Sequence, residues 1–261
     1  MPIVNYRNIN VHYSSQGKGR AVVLLHGFLE NLNMWRDITK ELSKNNRVIS
    51  IDLLGHGKTD NLGYIHTMEE QAKIVKFVLN YLKLRKYILV GHSMGGYTSL
   101  AFAELYAESL KGICLMNSSA LPDSNERKAN RDRAVEAVKY KSEIFVKMAI
   151  PNLFAEDNIE MFKNEIKQVT KEALQISTRG IIAALEGLKI RKDYTYLYHT
   201  LKIPIQMIIG KKDPALDYES LIEQTNDTNV LLIEFPDGHM SHFENKHELI
   251  NALKLFIKLC N

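Results

Sequence analysis

Val90-Gly91-His92-Ser93-Met94-Gly95-Gly96 joins an apolar run to a helix-like one through a cluster of glycines. The apolar run Tyr87-Ile88-Leu89-Val90 leads into it and reads as a buried strand, and Tyr97 to Tyr106 leaves it as a helix. Between them lies G-x-S-x-G, a pattern in which a serine sits on a sharp strand-to-helix turn with its oxygen exposed. Glycines at 91, 95 and 96 suit that turn, because a side chain at any of them crowds the strand and helix as the backbone reverses. Five residues alone recur by chance. The placement between strand and helix is what gives the pattern weight.

Working outward, Ala21-Val22-Val23-Leu24-Leu25 and Val48-Ile49-Ser50-Ile51-Asp52-Leu53 are short apolar runs. Strands apolar on both faces belong to parallel sheets covered by helices on each side. Helical periodicity around Met34, Trp35, Ile38 and Leu42 separates these two, and Leu54 to Asp60 forms a glycine-punctuated loop after the second. Thr67 and Glu70 have capping-box spacing, followed by Ile74, Val75, Val78, Leu79 and Leu82 on one helical face. Residues 3 to 13 alternate around Arg7-Asn8 and predict an edge hairpin. After the serine's helix comes another apolar run, Gly112 to Met116. Strands alternating with helices predict an α/β fold with a mostly parallel, doubly wound sheet.

From about Leu121 strand-like runs vanish for some eighty residues. The charged run Arg127–Arg133 reads as the solvated face of a helix. Three helical stripes follow: Val135, Val138, Phe145 and Met148; Ile159, Phe162, Ile166 and Val169; and Ile181, Ile182, Leu185 and Leu188. Strands resume at Ile205–Gly210 and Val230–Phe235, and a final helix carries Leu249, Ile250, Leu253, Phe256 and Ile257 on one side. The predicted division is a core of residues 1–121 and 201–261, with a helical lid inserted at 122–200.

A serine hydroxyl needs a base to take its proton and an acid to orient that base. In open α/β sheets such groups gather past the carboxyl ends of strands. The two strands after the insertion end in Gly210-Lys211-Lys212-Asp213 and Phe235-Pro236-Asp237-Gly238-His239, which offers Asp213 and His239 as partners of Ser93. Asp217 and Asp123 are the rival acids; the positions directly after the Gly112–Met116 strand are Asn117, Ser118 and Ser119, which disfavours an acid there. His242 and His247 are the rival bases, and the Gly-His step with Glu244 five residues on selects His239. The spacing of these histidines matches no ligand pattern, so no metal is expected. Backbone N–H groups of Phe28 and Met94 are the candidate donors to a developing oxyanion. His26, His56 and Asp52 read as loop braces. Leu29, Met148, Phe154 and Met161 are candidates, with Phe28, for lining an acyl pocket, although apolar residues at helical spacing are more often core.

His26-Gly27-Phe28, Asp52-Leu53-Leu54-Gly55-His56-Gly57, Gly91-His92-Ser93-Met94-Gly95-Gly96, Gly210-Lys211-Lys212-Asp213 and Gly238-His239 with Glu244 run across the core in order. Taken together, the chain resembles the α/β-hydrolase superfamily in its lid-bearing esterase and lipase branch. The order Ser93, Asp213, His239 is the one that superfamily uses. The resemblance implies a cofactor-independent serine hydrolase that cleaves small carboxylic esters through an acyl-enzyme. Serine at the elbow argues against the superfamily's dehalogenases and epoxide hydrolases, which carry aspartate there. Two other readings keep the same triad: C–C bond cleavage or lyase chemistry, and a hydrolase-fold ligand receptor with slow turnover. Relatives of the menaquinone-pathway lyase carry arginine directly after the elbow glycines, where this chain has Tyr97. The resemblance does not extend to the insertion, which shapes substrate choice.

Length and composition agree. A chain of 261 residues with 45% hydrophobic and 25% charged residues suits one large domain. A net charge of +4 makes no case for nucleic acid or anionic membrane as partner. The amino-terminal residues lack the basic start and apolar core of a secretory signal, and no apolar run reaches the ~20 residues that span a bilayer. With only Cys114 and Cys260, the expectation is a cytoplasmic protein with reduced thiols.

Overall fold

The computed structural model describes residues 2–260. Its strands are β1 (Ile3–Tyr6), β2 (Ile9–Gln16), β3 (Arg20–Leu25), β4 (Asn46–Ile51), β5 (Tyr87–His92), β6 (Leu110–Met116), β7 (Ile205–Gly210) and β8 (Leu231–Phe235). They form one sheet in the order β1-β2-β4-β3-β5-β6-β7-β8. The pairs β1–β2 and β2–β4 are antiparallel; every other pair is parallel. The edge hairpin turns through Arg7 (φ 49°) and Asn8 (φ 65°), two consecutive left-handed residues of the kind that match strand twist.

Helices cover both faces: α1 (Arg36–Leu42), α2 (Met68–Tyr81), α3 (Met94–Tyr106), α4 (Asn125–Ala149), α5 (Lys163–Ala173), α6 (Thr178–Lys189), α7 (Leu197–Thr200), α8 (Tyr218–Glu223), α9 (Ser241–Glu244) and α10 (Lys246–Leu259). Strand alternation sorts the core into two layers. Val23, Leu25, Leu89, Ile113, Leu115, Met207 and Ile209 pack with α2 and α3. Val22, Leu24, Ile88, Val90, Cys114, Met116 and Ile208 pack on the opposite face with Ile38 and Leu42 of α1 and Leu249, Leu253 and Phe256 of α10. Thr67 caps α2, its hydroxyl accepting from Glu70 N at 3.1 Å. Between β6 and β7 every regular element is helical. There α4, α5 and α6 form a third cluster through Val135, Val138, Val146, Ile166, Ile181 and Leu185, which closes onto Leu29, Phe154 and Met240.

The helical stripes need two corrections. Ile159 lies in a turn, and α5 begins only at Lys163, so the second stripe enters its helix late. In α4 the residues facing inward are Val135, Val138 and Val146, with a non-helical kink at Lys141 (φ −154°, ψ 87°), and this phase leaves Tyr140, Ile144 and Met148 exposed.

The turn from β5 into α3 explains its glycines by close approach. A methyl group on Gly95 would fall on the carbonyls of Leu25 and His26, and one on Gly91 on the backbone of Gly95. Backbone in a central strand cannot yield. Gly95→Ala therefore destabilises the fold by about 2–3 kcal/mol, read as a Tm lower by roughly 6–10 °C; an unchanged Tm would contradict the packing described here.

Candidate active site

Ser93 occupies the turn itself, at φ 48° and ψ −111°. Non-glycine residues rarely adopt this conformation, and it costs about 1–3 kcal/mol. The surroundings hold it: Ser93 N donates to Met116 O at 2.9 Å, while Gly96 N and Tyr97 N donate to Ser93 O and Ser118 Oγ does the same at 2.9 Å. This places Ser93 at the amino end of α3 and on the wall of a cavity.

The loops after β7 and β8 bring Asp213 and His239 together. His239 Nδ1 donates to Asp213 Oδ2 at 2.7 Å, with both side chains almost fully buried. Asp213 Oδ1 accepts from the N–H groups of Ala215 (2.8 Å) and Leu216 (3.1 Å), and Oδ2 also accepts from Asn117 Nδ2 at 3.1 Å. Burial alone would raise the Asp213 pKa, but His239 and these donors outweigh it and hold the carboxyl below its ordinary value. Asn117, left-handed at φ 45° directly after β6, ties the acid to the histidine loop: its amide also donates to Gly238 O at 3.2 Å and its oxygen accepts from Ser241 Oγ at 2.7 Å. The sequence reading used Asn117 only to dismiss an acid at that place. Its own role was missed.

The rival residues have other partners. Asp123 pairs with Arg131 and Arg191, and Asp217 caps α8 by accepting from Ser220 N. His242 is buried beside Glu30 and pushed by that burial down to about 3, while His247 is exposed. Glu244 braces the histidine loop, accepting from Met240 N, Ala155 N and Asn158 Nδ2. The loop braces are where the sequence places them: His26 Nε2 accepts from Leu53 N, and Asp52 accepts from Leu32 N and Lys58 N. Burial keeps His26 below the ordinary imidazole range and His56 at about 3, so neither carries charge at neutral pH.

Beneath the serine turn lies a pair that sequence reading did not find. Glu30 Oε2 accepts from His92 Nδ1 at 2.7 Å and from Gly27 N at 2.7 Å, and His92 Nε2 donates to His239 O at 2.9 Å. Both ring nitrogens of His92 face oxygen acceptors, so both carry hydrogen and the ring is an imidazolium. Burial opposes both charges, yet each holds the other: Glu30 lies at about 2, and His92 stays above its ordinary value. The only signal in the chain was topological. Strands β3 and β5 are neighbours, so the loop bearing Glu30 meets the elbow.

A cavity of about 370 Å³ opens over Ser93 and His239, walled by Phe28, Leu29, Tyr97, Phe145, Leu153, Leu185, Leu188 and Leu216, with Arg127, Asn130 and Arg131. Leu29 and Phe28 are therefore on its wall. Met148, Phe154 and Met161 are not. Met148 and Met161 are 64% and 74% exposed, on the outer face of α4 and in a turn before α5. Phe154 is buried among Phe162 and Phe243 instead. Among the described residues, no hydrogen bond engages the N–H groups of Phe28 or Met94, which leaves both available to an oxyanion.

The alpha/beta hydrolase fold family matches residues 20–246, and the chain belongs to that family. It is similar over its whole length to a thermophilic esterase from Thermogutta terrifontis, whose structure was solved with malate bound: 30% identity, 97% of this chain and 94% of that one, TM-score 0.91. A 2-hydroxy-6-oxo-6-(2'-aminophenyl)hexa-2,4-dienoic acid hydrolase from Metapseudomonas resinovorans is 24% identical over 97% of this chain and 89% of its own. The enol-lactonase of Burkholderia xenovorans, 22% identical with a TM-score of 0.91 over 98% of this chain and 100% of that one, shares the fold. The chain is thus an α/β hydrolase, similar both to an esterase and to a dienoic acid hydrolase. No helix among the described residues is long and apolar enough to cross a membrane.

Proposed function

We propose that this α/β hydrolase is a serine esterase acting on carboxylic esters of modest size, with Ser93 as nucleophile, His239 as base and Asp213 as the orienting acid. The observation that carries the reading is the His239–Asp213 hydrogen bond at 2.7 Å, with Ser93 and His239 on the wall of one cavity. His239 Nε2 takes the Ser93 proton as Oγ attacks the ester carbonyl. The oxyanion accepts from Phe28 N–H and Met94 N–H, each such donor contributing about 3–4 kcal/mol. Collapse expels the alcohol with the proton from His239. Water then adds to the acyl-enzyme by the same route and releases the acid. Residues 122–200 serve as the lid over a core of 1–121 and 201–261, and Leu29 belongs to the substrate pocket. Two free cysteines, Cys114 and Cys260, favour a reducing cytoplasm.

The dienoic acid hydrolase among the relatives supports the second reading, C–C cleavage by the same triad. An ester panel of graded acyl length run beside a vinylogous diketone, with Ser93→Ala as the blank, separates the two. Ester turnover that vanishes in Ser93→Ala supports the esterase; diketone turnover without ester turnover transfers the site to C–C chemistry. A kcat of about 1–1000 per second marks an enzyme, and a stalled adduct marks a receptor.

Asp213→Asn keeps the shape but presents an amide N–H, or a poorer acceptor, to His239 Nδ1. It lowers kcat roughly 10³–10⁴-fold with KM little changed. Stopped-assay kinetics on one ester check this, and a loss below tenfold would remove Asp213 from the role.

A further inference from the structure

Among the described residues, Arg127 and Arg131 line the cavity over Ser93 and no Asp or Glu does. Arg127 and Arg131 stand one turn apart on α4, half-buried, with Asn130 beside them. The acid next to them is already committed: buried Asp123 accepts from Arg131 Nε at 3.0 Å and from Arg191 Nη1 at 2.5 Å. Three guanidiniums against one carboxylate leave an excess of two positive charges. Arg191 is 6% exposed and lies 4.2 Å over the Tyr97 ring, so the excess reaches the cavity through the other two. Arg127 donates to Ala215 O, and no carboxylate among the described residues pairs with it. The terminal nitrogens of Arg131 likewise have no protein partner among the described residues. The remaining acid near the site, Asp213, is buried behind His239, its oxygens taken by His239 Nδ1, Asn117 Nδ2 and the N–H groups of Ala215 and Leu216.

A guanidinium presents five donors in a fork that fits a carboxylate, and partial burial makes the pairing stronger than in open water. We infer that the site takes esters carrying a free carboxylate, which Arg127 and Arg131 hold under α4 while the ester carbonyl lies at Ser93. This rests on the serine-esterase reading and narrows it from esters in general to anionic ones. The apolar wall packs the chain joining the two ends.

The test compares monoethyl glutarate, and the butyrate ester of glycolic acid, with ethyl hexanoate in a pH-stat. The first two carry the carboxylate on the acyl and the alcohol side; the third is neutral and of similar length. Wild type should favour one anionic ester over the neutral one by about tenfold or more in kcat/KM, mainly through KM. That ratio should fall toward one in Arg127→Gln and Arg131→Gln, and shrink as salt is raised in wild type. Loss of lid structure alone would lower both substrates together and leave the ratio standing. A wild-type ratio near one, or a ratio unmoved by both substitutions, overturns the inference. If ethyl hexanoate turns over in a Ser93-dependent way while the ratio is one, only the anionic subsite fails. If none of the three esters turns over, the esterase reading fails with it.

Discussion

Ser93→Ala leaves a folded protein whose ester turnover drops about 10⁵–10⁶-fold. In the proposed mechanism the hydroxyl forms the covalent bond, and without it His239 and Asp213 have no partner to activate. The oxyanion donors and the cavity remain, so KM for a slow residual hydrolysis stays within a few-fold of wild type. Circular dichroism and Tm separate this from unfolding. Alanine keeps the strained φ of 48°, whereas glycine relaxes it. Ser93→Gly should therefore be equally inactive yet about 1–2 kcal/mol more stable than Ser93→Ala, a Tm difference of roughly 3–6 °C. A Ser93→Ala enzyme with more than a tenth of wild-type kcat, or a glycine variant less stable than the alanine one, would contradict the strained-nucleophile account.

The second large effect is on stability. Glu30→Gln removes the carboxylate facing the His92 imidazolium and leaves a buried charge without its counterion. Breaking a buried pair from one side costs about 3–5 kcal/mol, read as a Tm lower by roughly 6–20 °C. The backbone of His239 loses a firm anchor at its carbonyl, so kcat falls as well. In a double-mutant cycle, adding His92→Gln should cost far less than the two single losses summed; additive losses would mean the pair does not act as a unit.

The same groups fix the pH dependence. Glu30 lies at about 2 when folded against 4.5 when free, so its contribution is complete above pH 4.5 and fades as pH falls toward 2. His92 is raised above 6.5, so its contribution is complete below pH 6.5 and fades as pH rises through its folded value. His56 and His242, at about 3, and His66, at about 4, are neutral when folded and take up protons on unfolding below pH 6.5. Those three remove stability as pH falls from 6.5, before Glu30 titrates. Thermal melts from pH 8 to 4 should show the steepest loss below pH 6. In Glu30→Gln the part lost below pH 4.5 should be smaller than in wild type.

Much of the fold was legible because its signals are local. Continuous apolar runs such as Ala21–Leu25 and Tyr87–Val90 read as strands buried on both faces, and the sheet has them at its centre. The pairing of Asp213 with His239 is legible because both follow the carboxyl ends of neighbouring strands, a rule that needs only the chain order. What escaped depended on geometry across the sheet. Glu30 and His92 are 62 residues apart, and nothing near either predicts that adjacent strands bring them to hydrogen-bonding distance. In the chain Asn117 is only a non-acidic residue after a strand; that its amide bridges Asp213 and Gly238 depends on contacts about a hundred residues away in sequence. Pocket residues failed for a different reason. Met148 sits at helical spacing from Phe145 and Val138, but the kink at Lys141 and the direction of α4 decide which face looks inward. Apolar character alone does not choose between core, cavity and surface.

Covalent labelling reads out directly whether Ser93 is the nucleophile. The wild-type protein is treated with a fluorophosphonate, digested and mapped by mass spectrometry, with residual esterase activity followed in parallel. One phosphonyl adduct per chain is expected, on Ser93, rising in step with the loss of activity and absent from Ser93→Ala. Full ester turnover in a protein whose Ser93 remains unlabelled, or an adduct on another residue that accounts for the inhibition, would contradict that expectation.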